Sequence, residues 1–150
     1  TPTPAPYLLP YPGILPDHPL WFVKAARDTL IGFLIADPLK KAEFNLLQSD
    51  KRISAGEALL KKGKTEPGVS TISKAENYFE KSVKATEEAK GSGKDVSGFL
   101  IRLSEAAQKH QEVILSLEET KDGVVRETLA RERGRVEEQG KRVDSLKQKQ

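Results

Sequence analysis

From about residue 38 onward, apolar side chains recur at threes, fours and sevens, the period of helices with one covered face. Leu39, Ala42, Leu46, Ile53 and Leu60 set one stripe, widened by Phe44, Leu47, Ala58 and Leu59. Ile72, Ala75, Tyr78, Phe79, Val83 and Thr86 set a second. The cleanest runs through Val96, Phe99, Leu100, Leu103, Ala106, Ala107, His110, Val113, Ile114 and Leu117. Ahead of them, Pro19 to Ala36 is apolar around most of its circumference, through Leu20, Trp21, Phe22, Val23, Leu30, Ile31, Phe33, Leu34 and Ile35. Lys24, Arg27 and Asp28 mark its one wet edge, so this helix is expected at the centre, covered on several sides. After Gly123 the stripe thins to Val125, Leu129, Val136, Val143 and Leu146, with Glu132 and Gln139 between them. Leu129, Val136 and Val143 are seven apart, but half the seam is polar, which is weak support for a coiled coil. It reads as a helix packed along one narrow edge and fraying at its end, or as one that an assembly completes.

Punctuation divides the stripes. Asp37 followed by Pro38 is a helix start, and Pro19 after His18 repeats the signal. The short link between those two helices predicts a tight antiparallel hairpin, with a sharp kink as the alternative. Gly63 after Lys61 and Lys62 is a stop, and Gly91 to Lys94 is another. KTEPGVST reads as a loop by its Pro67-Gly68 pair, with Ser73 and Glu76 at capping-box spacing after it or the helix starting a turn earlier. Asp95 caps the next helix, and Asp122-Gly123 is a break or a soft spot. Seven of the nine prolines lie in the first nineteen residues, which keeps that segment extended. Tyr7, Leu8, Tyr11, Ile14 and Leu15 give it apolar contacts to bury, so it is expected to lie as a strap across the bundle. The alternative is a polyproline ligand for a partner's aromatic groove, but no basic anchor flanks it. The expected architecture is all-α: an elongated bundle of four to five helices behind an extended proline-rich strap. Its parts are a strap over 1–18, a bundle over 19–121 and a polar C-terminal helix over 122–150, packed on the bundle or in an assembly.

Composition narrows the classes. Charged residues are 31% of the 150 and hydrophobic ones 37%, a balance suited to long helices with much exposed face. The charges are mixed, with a net of +3, and the basic clusters Lys61-Lys62-Lys64 and Arg131-Arg133-Arg135 lack interleaved aromatics. That argues against nucleic-acid binding, which ranks third among the functional readings. Six Glu-to-basic pairs four apart support solvated helix faces: Glu57–Lys61, Glu80–Lys84, Glu105–Lys109, Glu127–Arg131, Glu137–Lys141 and Glu138–Arg142. No apolar run approaches the roughly 18 residues of a membrane span. The first residue is Thr and methionine is absent, so the TPTPAP opening fits the spacer after a cleaved signal peptide or membrane anchor, and equally the edge of a fragment.

Chemistry is sparse. Cysteine is absent, which removes disulfides, thiolate metal sites and cysteine nucleophiles. Asp17-His18 and His110 are the candidate metal ligands, and each has a plainer reading: Asp17-His18 as a helix start, His110 as part of the apolar stripe. The carboxylate doublets Glu87-Glu88, Glu118-Glu119 and Glu137-Glu138 are sequence neighbours, about 100° apart on a helix, and do not converge as an acid–base pair would. No phosphate loop, nucleophile elbow or HExxH pair is present. No enzyme and no cofactor is expected.

YPGILPDHPLWFVKAARD, DPLKKAEFNLLQSDKRISAGEALLKKGK and KAENYFEKSV, in that order, resemble an uncharacterised family of bacterial proteins, a domain of unknown function. Its pattern is a Pro-Asp/Gly-x-Pro-Leu-Tyr-x-x-Lys lead into a helix, then an Asp-Pro-x-x-Lys/Arg-Ala-Glu second helix. The resemblance spans about residues 7–85, with Trp21 where the family has an aromatic, usually Tyr. From Asp95 onward only generic amphipathic helix is visible. The resemblance implies an extracytoplasmic location behind a signal or membrane anchor, and transfers no activity. The expected function is a structural or protein-interaction module that self-associates or binds a protein partner, through Leu129, Val136, Val143 and Leu146 of the last helix. The alternative is an envelope sensor that takes a small ligand or metal between its helices.

Overall fold

The computed structural model describes residues 6–149, so the first five residues of the strap lie outside the described part. Five helices follow the strap: α1 (Trp21–Leu34), α2 (Pro38–Lys61), α3 (Thr65–Gly91), α4 (Ser97–Glu118) and α5 (Gly123–Gln148). No strand occurs among the described residues. The last four make an up-down-up-down bundle in which α2 packs on α3, α3 on α5, α5 on α4 and α4 on α2. At 22 to 27 residues each, these helices are about 33–40 Å long.

The ends are set by the residues that the sequence marks. Asp37 caps α2, accepting from the Lys40 amide at 3.0 Å, and Pro38 opens the first turn. Gly63 and Gly93 take positive φ just past α2 and α3. Each then closes the same C-terminal motif, Lys64 N to Leu59 O at 2.9 Å and Lys94 N to Ala89 O at 3.1 Å. Asp95 acts one residue early: Val96 is the cap position of α4, and the Asp95 carboxylate accepts from the Ser97 amide at 3.0 Å. Residues 119–122 turn the chain between α4 and α5, so these are two helices and not one.

Two expectations are corrected here. Pro67-Gly68 is not in a loop; α3 starts at Thr65, and Pro67 sits in its first turn, where a missing N–H is harmless. Gly68 is there because α2 and α3 touch. Ala42, Ser49 and Gly56 on α2, each seven apart, face Gly68, Ala75, Ser82 and Ala89 on α3, also seven apart, and all are buried. A Cβ on Gly68 would stand 2.6 Å from Leu60 Cγ and 3.1 Å from the Leu60 amide nitrogen. One on Gly56 would stand 2.6 Å from Ile72 Cδ1. The serines of the seam give their hydroxyls to the opposite backbone, Ser49 to Ala75 O at 2.8 Å and Ser82 to Ala42 O at 2.7 Å.

The second correction is α1. It begins at Trp21 rather than Pro19, after a turn in which Trp21 N donates to His18 O at 3.0 Å, and Leu20 holds the cap position without a side-chain cap. His18 contributes its ring Nδ1, which accepts from the Leu20 amide at 3.1 Å. Far from being central, α1 is the outermost helix, and Asp28 is its one buried residue. It folds back along α2 as an antiparallel hairpin, with the Phe44 ring filling the space beside Gly32.

Helix α5 is covered within the chain. Leu129, Val136 and Val143 are fully buried, Leu146 is half-buried against the core, and the polar seam positions Glu132 and Gln139 are buried with them. Glu57–Lys61 and Glu137–Lys141 pair along their own helices, whereas Glu80 and Arg142 turn to a neighbouring helix, to Arg135 and Glu87.

Gly68→Ala should destabilise the bundle by about 1–3 kcal/mol, because backbone must give way. Gly134→Ala, on an exposed helix face with nothing within 4 Å of the new carbon, should stabilise by about 0.5–1 kcal/mol. Urea midpoints of the two variants moving in the same direction would contradict the close-packed seam.

Candidate functional site

Two features carry chemistry: a charged cluster at the centre of the bundle and the surface built by α1.

Proline-fixed geometry brings the strap along α2 in the direction of that helix. Tyr7 donates its hydroxyl to Asp50 Oδ2, Ser54 donates to Pro10 O at 3.0 Å, and Asp17 pairs with Lys64 at 2.9 Å. From the other side, Lys24 of α1 donates to Pro12 O at 2.6 Å. Tyr7 and Leu15 are half-buried, but Leu8 and Tyr11 are more than four-fifths exposed and Ile14 is exposed too. Leu9, which alternation with Leu8 could have singled out, packs on the core in their place.

The Tyr7–Asp50 bond leads inward. His110 of α4 is fully buried, with Nε2 2.8 Å from Asp50 Oδ1 on α2 and Nδ1 3.4 Å from Glu76 Oε1 on α3. The second contact is an ion pair without hydrogen-bond geometry, which leaves Nδ1 and both Glu76 oxygens dependent on charge alone. Phe79 lies tilted against the imidazole, its centroid 5.3 Å away. Around Glu76, α5 adds buried Glu132, held at 2.7 Å by Arg135, which also reaches Glu80 at 2.8 Å. Every bundle helix thus contributes. Burial alone would lower the His110 pKa, but the Asp50 hydrogen bond and the two facing carboxylates reverse this and raise it to about 9. Burial pushes the Glu76 carboxyl above its usual range, with the histidine opposing. Burial and the Asp50 charge likewise raise the Tyr7 phenol, which stays a donor. The imidazolium is sealed from solvent and ties four helices and a strap together.

The candidate metal ligands do not converge. His18 is exposed at the strap turn, Asp17 is paired with Lys64, and His110 is in the core. Among the described residues, no group of three or more His, Cys, Asp or Glu is placed to hold a metal ion.

The surface feature is α1, and it is mounted inside out. Trp21, Lys24, Ala25, Asp28 and Gly32 turn toward the bundle, where Asp28 takes two bonds from Arg27, at 3.1 and 2.8 Å. The opposite face shows Phe22 68% exposed, Leu30 60%, Phe33 86% and Leu34 70%. Between α1 and the α2–α3 pair opens a cleft of about 460 Å³, lined by Thr29, Phe33, Phe44, Tyr78, Lys81 and Lys84 among others. The Tyr78 ring carries Arg52 at 4.3 Å and Lys81 at 5.0 Å. Sequence reading missed this surface because apolar periodicity reports which residues share a face, not which way it points. Glycine at position 32 and the inward Lys24-Ala25-Asp28 edge were the available signal.

Residues 13–123 match the model of a family described as a domain of unknown function (DUF5667). That range runs from the strap through α4, well past residue 85, where the resemblance in the sequence fades. No curated protein and no solved structure matches the chain.

With an unfolded-state histidine near 6.5 and a folded one near 9, the folded chain holds the proton more tightly. That stabilisation is complete below about pH 6.5 and is lost as pH rises towards about 9. The urea midpoint should therefore fall across that window for the natural chain and stay level for His110→Gln. A level profile for the natural chain would place a neutral imidazole in the core. Tyr7→Phe, which leaves Asp50 Oδ2 short of a donor, should cost about 1–3 kcal/mol with α-helical circular dichroism unchanged; a loss near zero would mean that the strap is not fixed there.

Proposed function

Since the chain belongs to the DUF5667 family, whose name assigns no activity, we propose that it is a non-catalytic interaction module that docks through α1, as its geometry supports, and that works on the outer side of a bacterial membrane, as the resemblance in its sequence implies. One observation carries this reading: a filled bundle with a charge-locked centre mounts α1 by its polar edge and turns its apolar face to solvent. Exposed side chains such as Phe33 and Leu34 add nothing to the fold where they stand. A contiguous apolar surface of this kind marks a place where something binds. The seam of Leu129, Val136 and Val143 is already buried in the chain, so docking is assigned to α1 and not to α5. No described helix is long and apolar enough to cross a membrane.

A second reading, a small-ligand sensor, is favoured by the cleft beneath α1, whose aromatic walls and lysines suit an anionic compound with an apolar body.

A photo-crosslinking residue at position 33 should give adducts in the host envelope, whereas one at Ser116, exposed on α4, should give none. Equal labelling from both positions, or none from either, would remove α1 as the docking element.

A further inference from the structure

The apolar face of α1 is narrow and convex, one helix standing proud of the bundle. Phe22, Val23, Leu30, Phe33 and Leu34 cover it, all more than half exposed. Its two polar members, Arg27 and Thr29, lie at the borders, and Arg27 already holds Asp28. Such a ridge offers a protein groove almost no hydrogen-bonding group with which to fix a register.

The flanks are mainly basic. Lys51 lies on one side of α1, and Lys41, Lys81 and Lys84 lie on the other. Lys24 and Arg52 turn inward, to Pro12 O and to Gln48. Against these cations the same two clefts hold only Asp28, which Arg27 neutralises, and Glu88. The chain as a whole is nearly balanced, with 25 basic and 22 acidic residues, so positive charge is concentrated where the apolar ridge stands. A second copy docking ridge to ridge would bring those cations together. A surface of negative charge over hydrocarbon would meet both features at once, and a fluid surface requires no matched groove.

We infer that α1 lies flat on an anionic lipid surface, its apolar ridge in the interfacial region and the flanking lysines among the phosphate headgroups. The inference rests on the docking role of α1 proposed above and names its partner. Because α1 is seated by Lys24, Asp28 and Gly32, insertion of the opposite face leaves the bundle core intact.

The test uses the purified chain with vesicles of phosphatidylcholine alone, or of phosphatidylcholine mixed equally with phosphatidylglycerol. Expected are co-sedimentation with the mixed vesicles and release as salt rises. The double substitution Leu30→Glu with Phe33→Glu should weaken binding at least about tenfold, since two apolar side chains leave the contact. Its melting temperature should match the natural chain, as both positions are exposed. Lys81→Glu with Lys84→Glu should weaken binding to the mixed vesicles with the ridge untouched. No binding to either vesicle would overturn the inference, as would binding that survives the ridge substitutions. A dimer in sedimentation equilibrium that those substitutions dissociate would assign the face to a second copy instead. Protein adducts from position 33 without vesicle binding would leave the docking role standing and remove the lipid.

Discussion

The close approach of α2 and α3 governs the rest of the molecule. Two helices with a small residue every seventh position can bring their backbones nearer than ordinary side chains allow, and Gly56 opposite Gly68 fixes the closest point. Dispersion then acts between backbones as well as side chains. The serine hydroxyls of the seam find carbonyl acceptors across it, so no buried polar group is stranded there. With α2 and α3 drawn together, Leu46, Ile53, Ile72 and Phe79 join one buried core with Leu103 and Ile114 of α4 and Leu129 and Val136 of α5.

That arrangement leaves room at the centre for a charged cluster, and the cluster explains why the four helices settle in one register. A histidine between two carboxylates is no bargain in stability, since desolvation opposes the attraction. What it does is penalise alternatives: sliding α4 by a turn would separate His110 from Asp50 and Glu76 and leave buried charges alone. Tyr7 extends the same logic to the strap, whose outermost bond ends on the carboxylate that holds the histidine. The polar positions of α5 belong to this system too. Glu132 interrupts the apolar seam because Arg135 and the central charges lie beside it, whereas Gln139 is buried with its Oε1 unbonded.

Much of this was legible in the sequence, and the failures share a cause. Helices α2 and α4, the Asp37 cap, the stops at Gly63 and Gly93 and the all-helical class follow from local rules of spacing and capping. Pro67-Gly68 misled because both residues punctuate loops, yet proline is suited to a first turn and glycine to a helix crossing. The sevenfold recurrence of small residues at 42, 49 and 56 and at 68, 75, 82 and 89 was present to be read as a close seam. The central cluster was out of reach: Asp50, Glu76 and His110 lie on three helices, and nothing in linear spacing brings them together. The orientation of α1 was hidden for a different reason. Apolar residues are ordinarily inside, and only the surrounding fold reveals a helix for which that rule is reversed.

The reversal follows from what each face of α1 can find. Toward the bundle it meets the flank of α2 and α3, a surface already rich in Gln48, Lys51, Arg52 and Tyr78. Lys24, Asp28 and the strap carbonyls suit that flank, and Phe22 or Leu30 would not. The core proper is closed beneath, with Ile53, Phe79 and Leu103 fully buried without help from α1. The helix is thus attached by polar contacts and a single glycine–phenylalanine crossing while the bundle stands complete. Stability resides in the bundle and not in the exposed face of α1, so substitutions on that face should leave folding alone.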